Sequence, residues 1–203
     1  PLTDIERGDV QSRHGIVRDF IMYTGGIDYR KNIEGLIRAY AKLPVALRRA
    51  HQLAVVCSIQ PADRERLLAL AKAQGLGKDE LVLTGFVSEH DLVALYNGCK
   101  VFVFPSFHEG FGLPALEAMA CGRAVIAANT SSLPEVVGFP EALFDPFDDR
   151  SITQKLEQVL TDDTFRTQLG RHSLEQAKTF SWDASALAAI AALEAYYAQH
   201  LDE

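Results

Sequence analysis

Short apolar runs without alternation constrain this chain more than any other feature. "LAVVCS" (53–58), "VFVFP" (101–105) and "AVIAA" (124–128) carry almost no polar residue. A strand with one face in water alternates apolar and polar side chains. A run that does not alternate is covered on both faces, as in a parallel sheet lying between helices. The strand candidates are Phe20–Thr24, Leu53–Ser58, Leu81–Thr84, Val101–Phe104, Ala124–Ala128 and Ala142–Asp145. Helical patterns fall between them, at about 32–43, 61–74, 89–97, 113–121 and 133–137. Such alternation with short connections predicts right-handed βαβ units, hence an α/β, Rossmann-like doubly wound parallel sheet of about six strands with helices on both faces.

After Asp145 the pattern changes to helices alone: Ser151–Leu160, Asp163–Thr179 and Asp183–His200. Asp149 or Ser151 is the expected cap of the first, Asp163 of the second and Ser181 of the third. The last helix repeats Leu187, Ile190, Leu193 and Tyr197 at helical spacing and is expected to pack along a domain surface. Residues 1–18 are polar and weakly patterned and read as a lead-in or linker remnant. The expected organisation is therefore a Rossmann-like domain over 19–180, with 181–203 a helix packing on it or towards a missing N-terminal domain.

Lys and Arg number 20 against 27 Asp and Glu, a net charge of −7. That balance argues against broad electrostatic binding to nucleic acid or anionic lipid. No stretch reaches the apolar length of a membrane span and none reads as a signal peptide. The expected setting is cytoplasmic. The chain begins at Pro1 and is read as a piece of a longer protein. Cys57, Cys99 and Cys121 lack CxxC spacing and read as reduced thiols; no metal site is expected.

Three loops at strand ends hold the chemistry-bearing residues. In "YTGGIDYRKN" (23–32), Gly25-Gly26 ends a strand, and Arg30 and Lys31 precede a helix. Glycines there let a ligand approach the backbone, and cations beside helix-start N–H groups suit a phosphate. A plain turn with solvated cations is the competing reading. In "PSFHEGFGLPALEAMACG" (105–122), Gly110 and Gly112 precede Pro114 in the first turn of a helix, so the N–H groups of Phe111, Gly112 and Leu113 lie at a helix start. Glu109 lies in the loop and Glu117 is expected on the helix's first turn. They read as two arms reaching different parts of one ligand, or else as a solvated loop acid and an acid near the helix dipole. In "LTGFVSEHDLVALY" (83–96), Phe86 or Val87 can flank a flat heterocycle, or simply pack.

These three strand ends together resemble the C-terminal domain of the family-four, group 1 retaining glycosyltransferases of the GT-B fold, over about residues 19–185. The Glu-x7-Glu stretch carries most of the likeness, supported by "YTGGIDYRKNIEGLIRAY", "LTGFVSEHDLVALYNGCKVFVFPS", "AVIAANTSSLPEVVG", "ALFDPFDD" and "FSWD". The resemblance implies a domain that binds a GDP-, UDP- or ADP-sugar as substrate. Glu109 would contact the donor sugar and Glu117 the ribose hydroxyls. Lys31 would pair with the diphosphate, with Phe111, Gly112 and Leu113 offering N–H groups. Phe86 and Val87 would flank the base. Glu109 and Lys31 are the expected catalytic residues, with no cofactor and no metal. Many relatives carry Arg directly after the first glycine of the first loop; here it is Gly26, so either Arg30 compensates or Lys31 carries most of that load. A second Rossmann-like half would take the acceptor glycan or lipid-linked glycan. This chain alone is expected to bind donor and to be inactive in transfer. Any peripheral membrane association would come through that other half. A weak preference for mannose, and the alternatives of a non-catalytic nucleotide-sugar module, an epimerase or a phosphorylase, complete the expectation.

Overall fold

The unalternated runs form the middle of one six-stranded sheet. A computed structural model describes residues 4–200. Its strands are β1 (Phe20–Thr24), β2 (Gln52–Val56), β3 (Leu81–Leu83), β4 (Val101–Phe104), β5 (Val125–Ala128) and β6 (Leu143–Phe144). All pairings are parallel, in the order β3-β2-β1-β4-β5-β6. Ile21 lies opposite Leu53 on one side and Val101 on the other, so β1 sits at the centre. Every residue of β1, β2, β4 and β5 is buried. Each large aliphatic or aromatic side chain so covered contributes roughly 1.5–3 kcal/mol, and this central block is the core of the molecule.

Ten helices complete the described residues: α1 (Asp4–Arg13), α2 (Ile33–Ala41), α3 (Val45–Ala50), α4 (Pro61–Ala73), α5 (Glu89–Gly98), α6 (Leu113–Ala120), α7 (Leu133–Val137), α8 (Asp149–Thr161), α9 (Asp163–Ala177) and α10 (Trp182–Gln199). In α2, Ile33, Leu36, Ile37 and Tyr40 recur at helical spacing and all are buried. Its other side meets α8: Arg38 makes a two-pronged bond to Asp149 at 2.8 and 3.0 Å, and the Thr153 hydroxyl donates to the Ala39 carbonyl. The chain order reverses between β1 and β4. In such sheets the crevice at the carboxyl ends beside that reversal is where ligands bind.

Four expectations need correction. Residues before Asp19 are not a loose lead-in: Asp4–Arg13 form α1, which packs on α5, with Val10 and Ile16 buried. Arg13 and His14 both bond Asp91 of α5, at 3.1 and 2.8 Å. The polar appearance of this stretch reflects a helix whose contacts are partly ionic. The caps of α8 and α9 lie one residue or more earlier than expected, at Asp148 and Asp162, while Ser181 caps α10 as expected. Ser151 instead accepts from the Asp145 N–H. Glu117 lies on the second turn of α6, because the helix starts at Leu113. Finally, no residue of α10 is buried: Leu187, Leu193 and Tyr197 are each about two-thirds exposed, so the apolar stripe does not lie on the domain. Val45–Ala50 adds a short helix that the sequence reading lacked.

Cys57, Cys99 and Cys121 are free thiols, with burial pushing Cys57 up to about 11 and Cys99 up to about 12. No helix among the described residues is long and apolar enough to cross a membrane.

Candidate functional site

The carboxyl ends of β1, β3, β4 and β5 carry the residues singled out in the sequence. After β1 the chain turns at Gly25, whose φ of +144° suits glycine and whose added Cβ would lie 2.9 Å from the Tyr23 hydroxyl. That hydroxyl donates to the Gly26 carbonyl at 2.6 Å, and burial raises its pKa. Asp28 caps the short turn Tyr29–Lys31. Its Oδ1 accepts from both the Arg30 N–H and Arg30 Nε. The Arg30 side chain, through its hydrogen bond, holds the Asp28 carboxyl below its usual range. Arg30 is thus folded onto its own turn and remains largely exposed.

Lys31 is treated differently. Its ammonium lies 2.7 Å from Glu109 Oε1 and 5.8 Å from the centroid of the Phe104 ring. Both partners are mostly covered, with 17% and 11% of their side chains exposed. Asn32 fixes the backbone beside it. This residue is buried, adopts the left-handed conformation at φ 54°, and donates its amide to the carbonyls of Pro105 and Pro146 at 3.1 and 2.9 Å. Gly35 makes room for that amide, since a Cβ there would sit 2.2 Å from Asn32 Oδ1. The Phe107 N–H donates to the Arg30 carbonyl at 2.7 Å. Loops from β1, β4 and β6 are therefore stitched into one unit, and the Lys31–Glu109 pair stands on it.

Two serines hold Glu109 from the opposite side. Its N–H donates to Ser131 Oγ at 2.9 Å, while the Ser132 hydroxyl reaches the carbonyls of Glu109 and Phe111 at 3.2 and 2.8 Å. Ser131 itself has φ +50°, an uncommon conformation for a residue with a side chain. Gly112 caps α6 at φ 105°, and no side chain caps that helix. The N–H groups of Phe111, Gly112 and Leu113 make no hydrogen bond among the described residues. They are unsatisfied helix-start donors next to Glu109, the arrangement that favours an anion. The side chains of Phe111 and Leu113 turn to a cavity of about 330 Å³ shared with Phe180 and Trp182.

Glu117 is exposed on α6, with Oε2 accepting from the Tyr96 hydroxyl at 2.8 Å. After β3, Gly85 adopts φ +77° and leaves Phe86 81% exposed, whereas Val87 is partly buried against the core. Ser88 then caps α5, accepting from the Asp91 N–H.

The structure thus joins Lys31 to Glu109 directly and brings Gly110, Phe111, Gly112 and Leu113 around them on one loop. It does not give Arg30 to the same cluster. Asn32, Tyr96, Ser131 and Ser132 were missed as site residues. "NTSSLPEVVG" held a signal only in the Ser-Ser pair of a strand-end loop, and nothing local marked Tyr96.

Comparison with known proteins gives consistent results. The family model described as "Glycosyl transferases group 1" matches residues 9–176. The serotype-specific mannosyltransferase WbdA of Escherichia coli is 45% identical over 181 residues, 89% of this chain and 22% of that protein. The O-antigen chain mannosyltransferase B of Escherichia coli is 40% identical over 164 residues, 81% of this chain and 42% of that protein. Among solved structures, sucrose-phosphate synthase from Thermosynechococcus elongatus superposes with a TM-score of 0.79 at 30% identity, covering 95% of this chain and 49% of that one. The chain spans less than half the length of these relatives.

Proposed function

The chain belongs to the group 1 glycosyltransferases, and we propose that it is the donor-binding half of an enzyme that moves a hexose from a nucleoside diphosphate sugar to an acceptor hydroxyl with retention. The observation that carries the reading is the Lys31–Glu109 pair beside the free N–H groups at the start of α6. In this reading a diphosphate draws the ammonium away from Glu109 and rests on Phe111, Gly112 and Leu113. These donors face charge that grows as the leaving group departs, which is the type of interaction that lowers a barrier. Glu109, released from Lys31, accepts hydroxyls of the donor sugar. Glu117 holds the ribose, and Phe86 and Val87 flank the base. The names of the most similar relatives favour mannose as the sugar.

Arg30 is bound to Asp28, away from the start of α6. Lys31 is therefore the main cation this half offers to a diphosphate. The acceptor, a glycan or a lipid-linked glycan, would be held by the other half of the protein, together with any membrane association. No metal or cofactor enters this scheme.

Titration calorimetry with GDP, UDP and ADP tests the reading. Lys31→Ala removes one charge-assisted bond of about 1.5–3 kcal/mol, so affinity for the nucleotide that binds should fall about 10- to 100-fold. Unchanged affinity would reject the phosphate role. Absence of binding by all three nucleotides to the unaltered chain would reject the donor site itself.

A further inference from the structure

The carboxylate expected to hold a ribose is not held by its own helix. Glu117 projects from the second turn of α6 into solvent, and its side chain has several rotatable bonds. Left alone it would sample many directions, and ordering it on binding would cost affinity. Tyr96 removes that freedom. Its hydroxyl donates to Glu117 Oε2 at 2.8 Å. The other carboxylate oxygen makes no hydrogen bond among the described residues.

Tyr96 can do this because it is immobile. It is 2% exposed, among the largest fully buried side chains, and its ring lies 5.6 Å from that of Phe102 in β4 at a tilt of 51°. Its position in the chain matters as well. Tyr96 lies on α5, whose cap, Ser88, directly follows Phe86 and Val87. One rigid helix therefore connects the loop proposed to flank the base with the hydroxyl that aims the ribose acid. Burial, then the neighbouring Glu117, raise the phenol's pKa, so the tyrosine keeps its proton and donates it in this bond.

We infer that Tyr96 is a positioning residue for nucleoside recognition: it fixes one oxygen of Glu117 and so presents the other to the vicinal hydroxyls of a ribose. This rests on the proposed ribose role of Glu117 and adds the element that sets its direction. Tyr96 touches no ligand in this arrangement, and its effect passes through Glu117 alone.

The test uses Tyr96→Phe, which keeps the buried ring and deletes only the hydroxyl. Whichever of GDP, UDP or ADP binds the unaltered chain is titrated beside its 2′,3′-dideoxy counterpart. Losing one bond to a charged group predicts a drop of about 5- to 20-fold for the ribonucleotide, with the dideoxy form little changed. The ratio of the two affinities is the diagnostic quantity, because a general loosening of the fold lowers both together. Glu117→Ala should abolish the same ratio, and the double variant should lose nothing further. If Tyr96→Phe weakens both nucleotides equally, or neither, while Glu117→Ala removes the ribose preference, the positioning role is wrong and the ribose role stands. If the unaltered chain shows no preference for ribose, both are wrong.

Discussion

Gly110 and Gly112 look equivalent in the sequence, two glycines of one loop, yet the structure separates them. Gly112 has φ 105° and ψ 41°, in the left-handed region. A side chain there costs about 1–2 kcal/mol in backbone strain alone. An added Cβ would also lie 2.7 Å from Leu133 Cδ2. Leu133 is fully buried at the start of α7, so its side chain would have to shift within the core. Forcing an extra methyl into such a site costs about 1–3 kcal/mol. Gly112→Ala should therefore destabilise the chain by about 2–5 kcal/mol, a large share of a typical total of about 5–15 kcal/mol. For a chain of this size that corresponds to a melting point lower by about 5–15 °C. Gly110 has nothing within 4 Å of its Cβ position and no left-handed φ. Gly110→Ala should stay within about 0.5 kcal/mol of the unaltered chain. Urea unfolding followed by circular dichroism reads both. Equal stability of the two variants would refute the argument that Leu133 and the backbone, rather than general flexibility, require glycine at 112.

Two other predictions concern the ends of the chain. His14, then His90 and Arg13, hold the Asp91 carboxyl below its usual range. A depressed carboxylate contributes stability that is complete above its unfolded pKa of about 3.9 and is lost as pH falls through the lower folded value. Hydrogen exchange in α1, corrected for intrinsic rates, should stay constant from about pH 7 to 5 and rise only below about 4. Asp91→Asn should raise it already at neutral pH, and a rise that sets in well above pH 5 in the unaltered chain would refute the carboxylate as the latch. Trp182 is the single tryptophan and is 79% exposed. Its fluorescence should be that of a solvated indole, open to acrylamide; a buried spectrum would show that α10 packs on a surface in solution.

The sheet was legible because its signal is local. A strand buried on both faces must be apolar throughout, and β1 and β4 fall where the runs place them, to the residue. The glycine turns were legible for the same reason, since Gly25, Gly85 and Gly112 adopt backbone angles that their neighbours cannot. Helix α1 was not legible. Its attachment depends on Asp91, about eighty residues away, and an ion pair leaves no periodic mark on either segment. The failure at α10 has the opposite cause. Leu187, Ile190 and Leu193 recur at the spacing of a covered stripe, but periodicity reports only that a face is apolar, not that anything lies against it.

The same distinction divides the site. Lys31, Glu109 and Glu117 could be proposed because their residue types suit a charged, hydroxyl-rich ligand. What holds them could not. Asn32 reaches Pro105 and Pro146, Ser131 reaches Glu109, and Tyr96 reaches Glu117, over 73, 114, 22 and 21 residues. In sequence each looks like an ordinary cap, turn or core residue. Arg30 shows how little residue type says about a side chain's partner. A cation beside a glycine turn at a strand end invites assignment by residue type, but Asp28 two residues earlier accepts two hydrogen bonds from Arg30. Asp28 can reach Arg30 within a single turn, whereas Glu109 reaches Lys31 only once the fold has joined two strand-end loops.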